Sequence, residues 1–233
     1  FTLAEVLITL SVVGVLAAVT LPVLIKNYQK HVTVTELKKA YTVLQQVGLR
    51  SQEENGLISD WFSAITSETR LVSDSNKEIY VNKYFAPYMQ IIDKKYRRNS
   101  EIKTLAQYFG NGSSFSPNMY WYYLKNGTCF AIYAMVSDDD YLLFFDINGD
   151  KFPNAVGRDI FVFDIKHYKN IEFTVARRDG WGLQGDRLVA QLYRKDDSNY
   201  ACNPERISYS SGYACGAIIK LEGWTIPKNY PWK

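Results

Sequence analysis

FTLAEVLITLSVVGVLAAVTLPVLI, residues Phe1 to Ile25, carries a single charge, Glu5. At ~1.5 Å of rise per residue a helix over this run is about 37 Å long, enough to cross a ~30 Å hydrocarbon core with some tilt. Glu5, Gly14 and Pro22 set the run apart from an ordinary membrane anchor. A carboxylate resists desolvation, glycine adds backbone freedom and proline removes a hydrogen-bond donor, so each is a poor choice for an isolated lipid-facing helix. A secretory signal peptide would carry a basic segment ahead of a shorter apolar core, and this run has none. A plain single-pass anchor accounts for the apolarity and leaves Phe1 and Glu5 unexplained.

Phe1-Thr2-Leu3-Ala4-Glu5-Val6-Leu7-Ile8, followed by a long apolar run containing Pro22, resembles the mature N-terminus of type IV pilins and type II secretion pseudopilins. The resemblance covers about the first 25 residues. In that superfamily a short basic leader is cut off just before a Phe and the new N-terminus is methylated, which implies N-methylation of Phe1. It also implies an assembly role for Phe1 and Glu5, and an unwound stretch between Gly14 and Pro22 in assembled filaments. The implied fold is α+β, a long N-terminal helix packed on an antiparallel sheet with a disulfide-closed C-terminal loop region. The implied function is that of a structural subunit, anchored in the inner membrane and then polymerised by assembly machinery into a surface filament of identical subunits. A pseudopilin of a type II secretion system is the alternative within the superfamily. A membrane-anchored binding domain that never polymerises is the alternative outside it.

Composition bounds the remainder. The chain has 233 residues, so removing the anchor leaves ample length for one sizeable core. Net charge is only +3 with mixed signs, which calls for no nucleic-acid partner. The 18 tyrosines suit rigid packed surfaces that also meet water.

The helix is expected to continue past the membrane edge. No proline or glycine occurs from Lys26 until Gly48, and Val34, Leu37, Tyr41 and Leu44 recur at three- and four-residue steps. Ala40, Val43 and Val47 widen that stripe into an amphipathic face. Glu53-Glu54-Asn55-Gly56 reads as a C-cap, so a helix over 1–55 leads into a globular head over 56–233. Such a helix hides its first half only in a bilayer or against copies of itself.

Within the head, Asp60 is a candidate cap for a short helix over 61–72, and Ser75 or Asn76 for another through Ala86. Lys94-Lys95-Tyr96-Arg97-Arg98 is the densest basic cluster and reads as a solvated face or loop. The sheet is expected to begin later, with strands over Met119–Lys125, Thr128–Val136, Tyr141–Ile147 and Ile160–Ile165. Asn126-Gly127 is a strong two-residue hairpin signal. Apolar residues on both faces of 129–136 predict a strand covered on both sides, the long helix being one cover.

The stretch 146–159 places oxygen side chains at alternating positions. Asp146, Asn148, Asp150, Asn154 and Asp159 form a candidate calcium set, because such alternation aims several oxygens at one hard cation. Some pseudopilins bind calcium in a loop beside their sheet, which supports the same reading. The stretch departs from the EF-hand pattern, and a turn-rich connection shaped by backbone needs alone is the competing account. Three cysteines leave three pairings open. Cys202–Cys215 is the expected one, with Cys129 a buried thiol, and the resemblance also implies a disulfide closing a C-terminal loop. No enzyme is expected: His31 and His167 lie far apart, and no CxxC, HExxH, P-loop or GxSxG occurs.

Overall fold

One helix, α1, runs unbroken from Leu3 to Asn55 in the computed structural model, which describes residues 2–61, 73–112, 114–115, 118–134, 141–165, 169–174, 193, 201–205 and 207–233. Its 53 residues span about 80 Å. Gly56, at φ +80°, ends it and donates its N–H to the Gln52 carbonyl at 3.0 Å. Leu37, Ala40, Leu44, Val47 and Ser51 are buried at alternating three- and four-residue steps, the stripe expected of an amphipathic helix, with Val34 and Tyr41 at its edge. Val43 falls off the stripe and is exposed. Burying Leu37 and Leu44 contributes roughly 1.5–3 kcal/mol each toward holding the head on the helix.

Polar contacts fix the helix lengthwise on the head. Asn170 donates to the Gln45 carbonyl at 3.1 Å and to its Oε1 at 2.7 Å. The Tyr41 hydroxyl donates to Glu172 at 2.9 Å, and Lys220 reaches both Tyr41 and Glu172 at 2.7 Å. Gly48 permits this approach, because a Cβ there would meet Asn170 Oδ1 at 1.8 Å.

The head is built on a six-stranded antiparallel sheet in sequential order: β1 (Ile91–Arg97), β2 (Met119–Leu124), β3 (Cys129–Ala134), β4 (Tyr141–Asp146), β5 (Ile160–Asp164) and β6 (Glu172–Phe173). The fold is therefore α+β. The sheet starts earlier than the sequence predicts, since the basic cluster supplies the edge strand β1 instead of a loop. An edge strand has water beside it and tolerates Lys94 and Lys95, whose charges also discourage pairing with another chain. The hairpin from β2 to β3 turns through three residues, Lys125 to Gly127, rather than two. The Gly127 N–H bonds the Leu124 carbonyl at 2.9 Å, and Gly127 takes the left-handed φ of +86° that this loop type needs.

Strand β3 is covered on both faces as expected. Phe130 and Ile132 join the core shared with α1, while Cys129 and Ala131 join a second core with Trp121, Phe144, Phe115 and Tyr213. Helix α2 (Asp74–Tyr84) is capped by Ser73, whose side chain accepts the Asn76 N–H at 3.1 Å. That places its start ahead of the expected caps. Helix α3 (Leu105–Tyr108) is a single turn, and α4 (Cys215–Leu221) lies near the C-terminus. Residues 62–72 of the helix expected over 61–72, and the strand residues Met135 and Val136, lie outside the described residues.

Candidate functional site

Two regions bear on function: the free half of α1 and the 146–159 loop. Every Leu, Ile and Val from Leu3 to Ile25 is exposed, and α1 is long and apolar enough to cross a membrane. Phe1 lies outside the described residues. Thr2 caps the helix. Its hydroxyl accepts the Glu5 N–H at 3.3 Å, and Glu5 Oε2 accepts the Thr2 N–H at 2.7 Å. This reciprocal capping box gives Glu5 a local structural role that the reading of Glu5 as an assembly residue overlooked. The signal was present in the sequence as Thr2-x-x-Glu5 ahead of an apolar run.

The break implied at Gly14 and Pro22 is absent from the single chain, where α1 stays helical through both. Proline deletes the one bond its N–H would have made to the Ala18 carbonyl, and the intact turns on either side hold the helix. Gly14 has no neighbour within 4 Å of a Cβ position, so nothing in the single chain requires glycine there.

The carboxylates of the 146–159 loop are engaged by cations and N–H groups of the head. Asp146 is fully buried at the end of β4 and takes Arg97 Nη1 at 2.9 Å, plus the N–H groups of Asn148 and Gly149 at 3.1 and 3.0 Å. Asp150 is exposed, meets Lys95 at 3.3 Å and accepts the Tyr123 hydroxyl. Asp159 is buried and accepts from the N–H groups of Asn154 and Ala155 at 2.9 and 2.7 Å and from Asn148 Nδ2 at 3.3 Å. The amide oxygens of Asn148 and Asn154 are buried without a donor. Two neutral oxygens do not make a calcium site when the three carboxylates are committed to cations and backbone N–H groups. The residues present do not fit the ion. The alternation reflects turn geometry, with Asn154 at φ +49° and Gly149 at φ +71°. Among the described residues no three His, Cys, Asp or Glu side chains are placed to hold a metal ion.

Burial, helped by the neighbouring Asp159 charge, pushes Asp146 up to about 7, against the pull of Arg97. Burial also drives the Cys129 thiol well above its ordinary value, which leaves it protonated and unreactive. Cys129 is the free cysteine, and Cys202 and Cys215 form the expected disulfide, joining the 201–205 segment to the start of α4. His31 is exposed on α1, and His167 lies outside the described residues. The basic cluster is largely neutralised within the head: Lys94 meets Glu78 at 2.9 Å, Lys95 meets Asp150 and Arg97 meets Asp146.

A family of unknown function (DUF6613) matches residues 23–233. The chain belongs to this family. The match takes in α1 from Val23 onward and the whole head. No curated protein and no solved structure matches the chain.

Proposed function

We propose that this chain is a type IV pilin, a structural subunit that polymerises through its N-terminal helix into an extracellular filament. The observation that carries the reading is the division of α1. Beyond Lys30 the helix buries one stripe on its own head, whereas from Leu3 to Ile25 every Leu, Ile and Val side chain is exposed. A continuous apolar surface of that length is not tolerated in water. A bilayer covers it before assembly, and copies of the same helix cover it in the filament core. The resemblance of Phe1–Ile8 to pilin N-termini supports the same assignment and brings with it the inner membrane, the assembly machinery and methylation of Phe1. The reading requires no catalytic role and no cofactor.

The disulfide between Cys202 and Cys215, and the engagement of the 146–159 carboxylates by Arg97, Lys95 and backbone N–H groups, support a pilin over a calcium-binding pseudopilin. In the filament, side-by-side packing of helices is expected to unwind α1 between Gly14 and Pro22. Electron microscopy of sheared cell-surface material, labelled for this chain, tests the reading. Labelled filaments are the expected result. Label confined to the membrane fraction would leave an anchored binding domain in its place.

A further inference from the structure

We propose that the groove between α1 and the 147–159 loop is a binding site for the headgroup of an anionic phospholipid. The inference rests on the reading that Leu3–Ile25 sits in a membrane before assembly. The groove has a volume of about 230 Å³, and its lining includes Tyr28, Gln29, Phe152, Arg158 and Trp232. Arg158 is only 8% exposed. Its guanidinium carbon sits 3.5 Å from the Trp232 ring centroid and 5.3 Å from that of Tyr108.

Stacking does not satisfy the N–H groups in the guanidinium plane. Arg158 Nε and Nη1 and Trp232 Nε1 are all buried without an acceptor. The two nearby carboxylates do not supply one, since Asp159 accepts three other donors and Glu36 faces Lys39 at 2.7 Å. Against these three N–H groups the groove lining offers one buried oxygen without a donor, Asn148 Oδ1, and the remaining excess of donors calls for an acceptor-rich ligand. Glu36 and Asp159 also line the groove, and the positive charge gathers at its Trp232 end, where Arg158 and Lys30 both face the ring. Lys30 Nζ lies 5.9 Å from the Trp232 centroid, and burial together with the positive charges of Lys26 and Arg158 lowers its pKa. A phosphodiester supplies anionic oxygens suited to guanidinium recognition.

Position selects a lipid as the source of that phosphate. Tyr28 lies three residues past Ile25, about 4.5 Å further along the helix axis. The headgroup layer extends roughly 5–7 Å beyond the hydrocarbon, so the lower end of the groove opens at headgroup height. Phe152 is 87% exposed and Tyr28 69% exposed, a placement that suits aromatic residues at a membrane interface.

The test uses the full chain in zwitterionic detergent micelles, titrated with dihexanoyl phosphatidylglycerol, dihexanoyl phosphatidylcholine or inorganic phosphate. Tryptophan fluorescence is followed, with Trp232→Phe as the blank. Phosphatidylglycerol should give a saturable change that phosphatidylcholine and phosphate do not. Arg158→Gln should weaken it by roughly tenfold or more, the loss expected when a charge-assisted contact goes. Should that variant fail to fold, the partly exposed Lys30→Gln should weaken the same binding severalfold. An equal response to phosphatidylcholine, saturation by phosphate alone, a response driven only by chain concentration, or unchanged affinity in the folded variants would each overturn the assignment. The titration requires no filaments, so it fails or succeeds separately from the pilin reading. Alkaline carbonate extraction of cell membranes independently checks the membrane seat.

Discussion

Arg97 and Asp146 form a buried ion pair at 2.9 Å although they stand on β1 and β4, with two strands between them. The guanidinium crosses above Trp121 of β2, 4.6 Å from the ring centroid, and passes Cys129 of β3 at 3.6 Å. One side chain thus ties four strands together on the face of the sheet away from α1. The arrangement explains how a strand with exposed lysines stays docked as the edge of the head.

At pH 8, above the raised Asp146 value of about 7, both partners are charged, and removing one strands the other in the core. Arg97→Met is expected to destabilise the head by roughly 3–5 kcal/mol, whereas Arg97→Met combined with Asp146→Leu should recover most of that loss. Urea denaturation of the full chain in detergent micelles, followed by circular dichroism, reads both variants. Equal losses in the single and double variants would show that Arg97 acts through packing alone.

Asp146 also makes stability depend on pH. Its folded pKa is raised from 3.8 to about 7, so the native state holds a proton that the unfolded chain releases between those values. The contribution is fully present below the unfolded value and is lost as pH rises through about 7, so this group lowers stability with rising pH across the window. The urea midpoint should fall between about pH 4 and about pH 8, and Asp146→Asn should flatten the slope. Asp159, raised by burial in the same direction, accounts for a residual slope in that variant.

The capping box separates two roles for Glu5. Glu5→Gln keeps an oxygen for the Thr2 N–H and removes the charge, while Glu5→Ala removes both at a cost to the helix start of about 1 kcal/mol. In a filament core that excludes water, the Glu5 charge needs a cation. On the pilin reading, leader cleavage frees the amine of Phe1, and that amine, from the same chain or a neighbour, supplies the cation. Filament yield is expected to fall sharply in both variants while the membrane-bound subunit persists. Normal yield in Glu5→Gln would assign the residue to capping, and loss of the membrane subunit would assign the defect to instability.

Chelation provides a simple check on the 146–159 loop. With its carboxylates engaged by Arg97, Lys95 and backbone N–H groups, the Tm of the full chain in micelles should not change between excess chelator and added calcium. A rise in Tm with calcium would show that Asn148 and Asn154, whose oxygens lack donors, recruit the carboxylates to an ion.

Much of the architecture could be read from the sequence because it rests on local regularities. The α1 stripe follows a 3.6-residue period, and the two-faced burial of β3 follows from the alternation of side chains along a strand. Glycine at positive φ marks the helix end at Gly56 and the hairpin at Gly127. The pairing of Cys202 with Cys215 joined residues already close in sequence. The basic cluster reads as a solvated face or loop; its solvated face is present, but its place as a strand is not legible because its burial follows no alternation, with Arg97 alone buried in β1. Whether a charged segment becomes an edge strand depends on its neighbour, β2, and not on its own pattern.

The same limit governed the charges. Alternating Asp and Asn over 146–159 fit a metal loop until the fold brought Arg97, 49 residues away, onto Asp146 and Lys95 onto Asp150. Arg158 and Trp232 meet only because the C-terminal segment returns to the base of α1. Periodicity and turn chemistry act between near neighbours and are written along the chain. The partner of a buried charge is chosen by which distant elements the packed core brings within hydrogen-bond reach, and that only the tertiary structure decided.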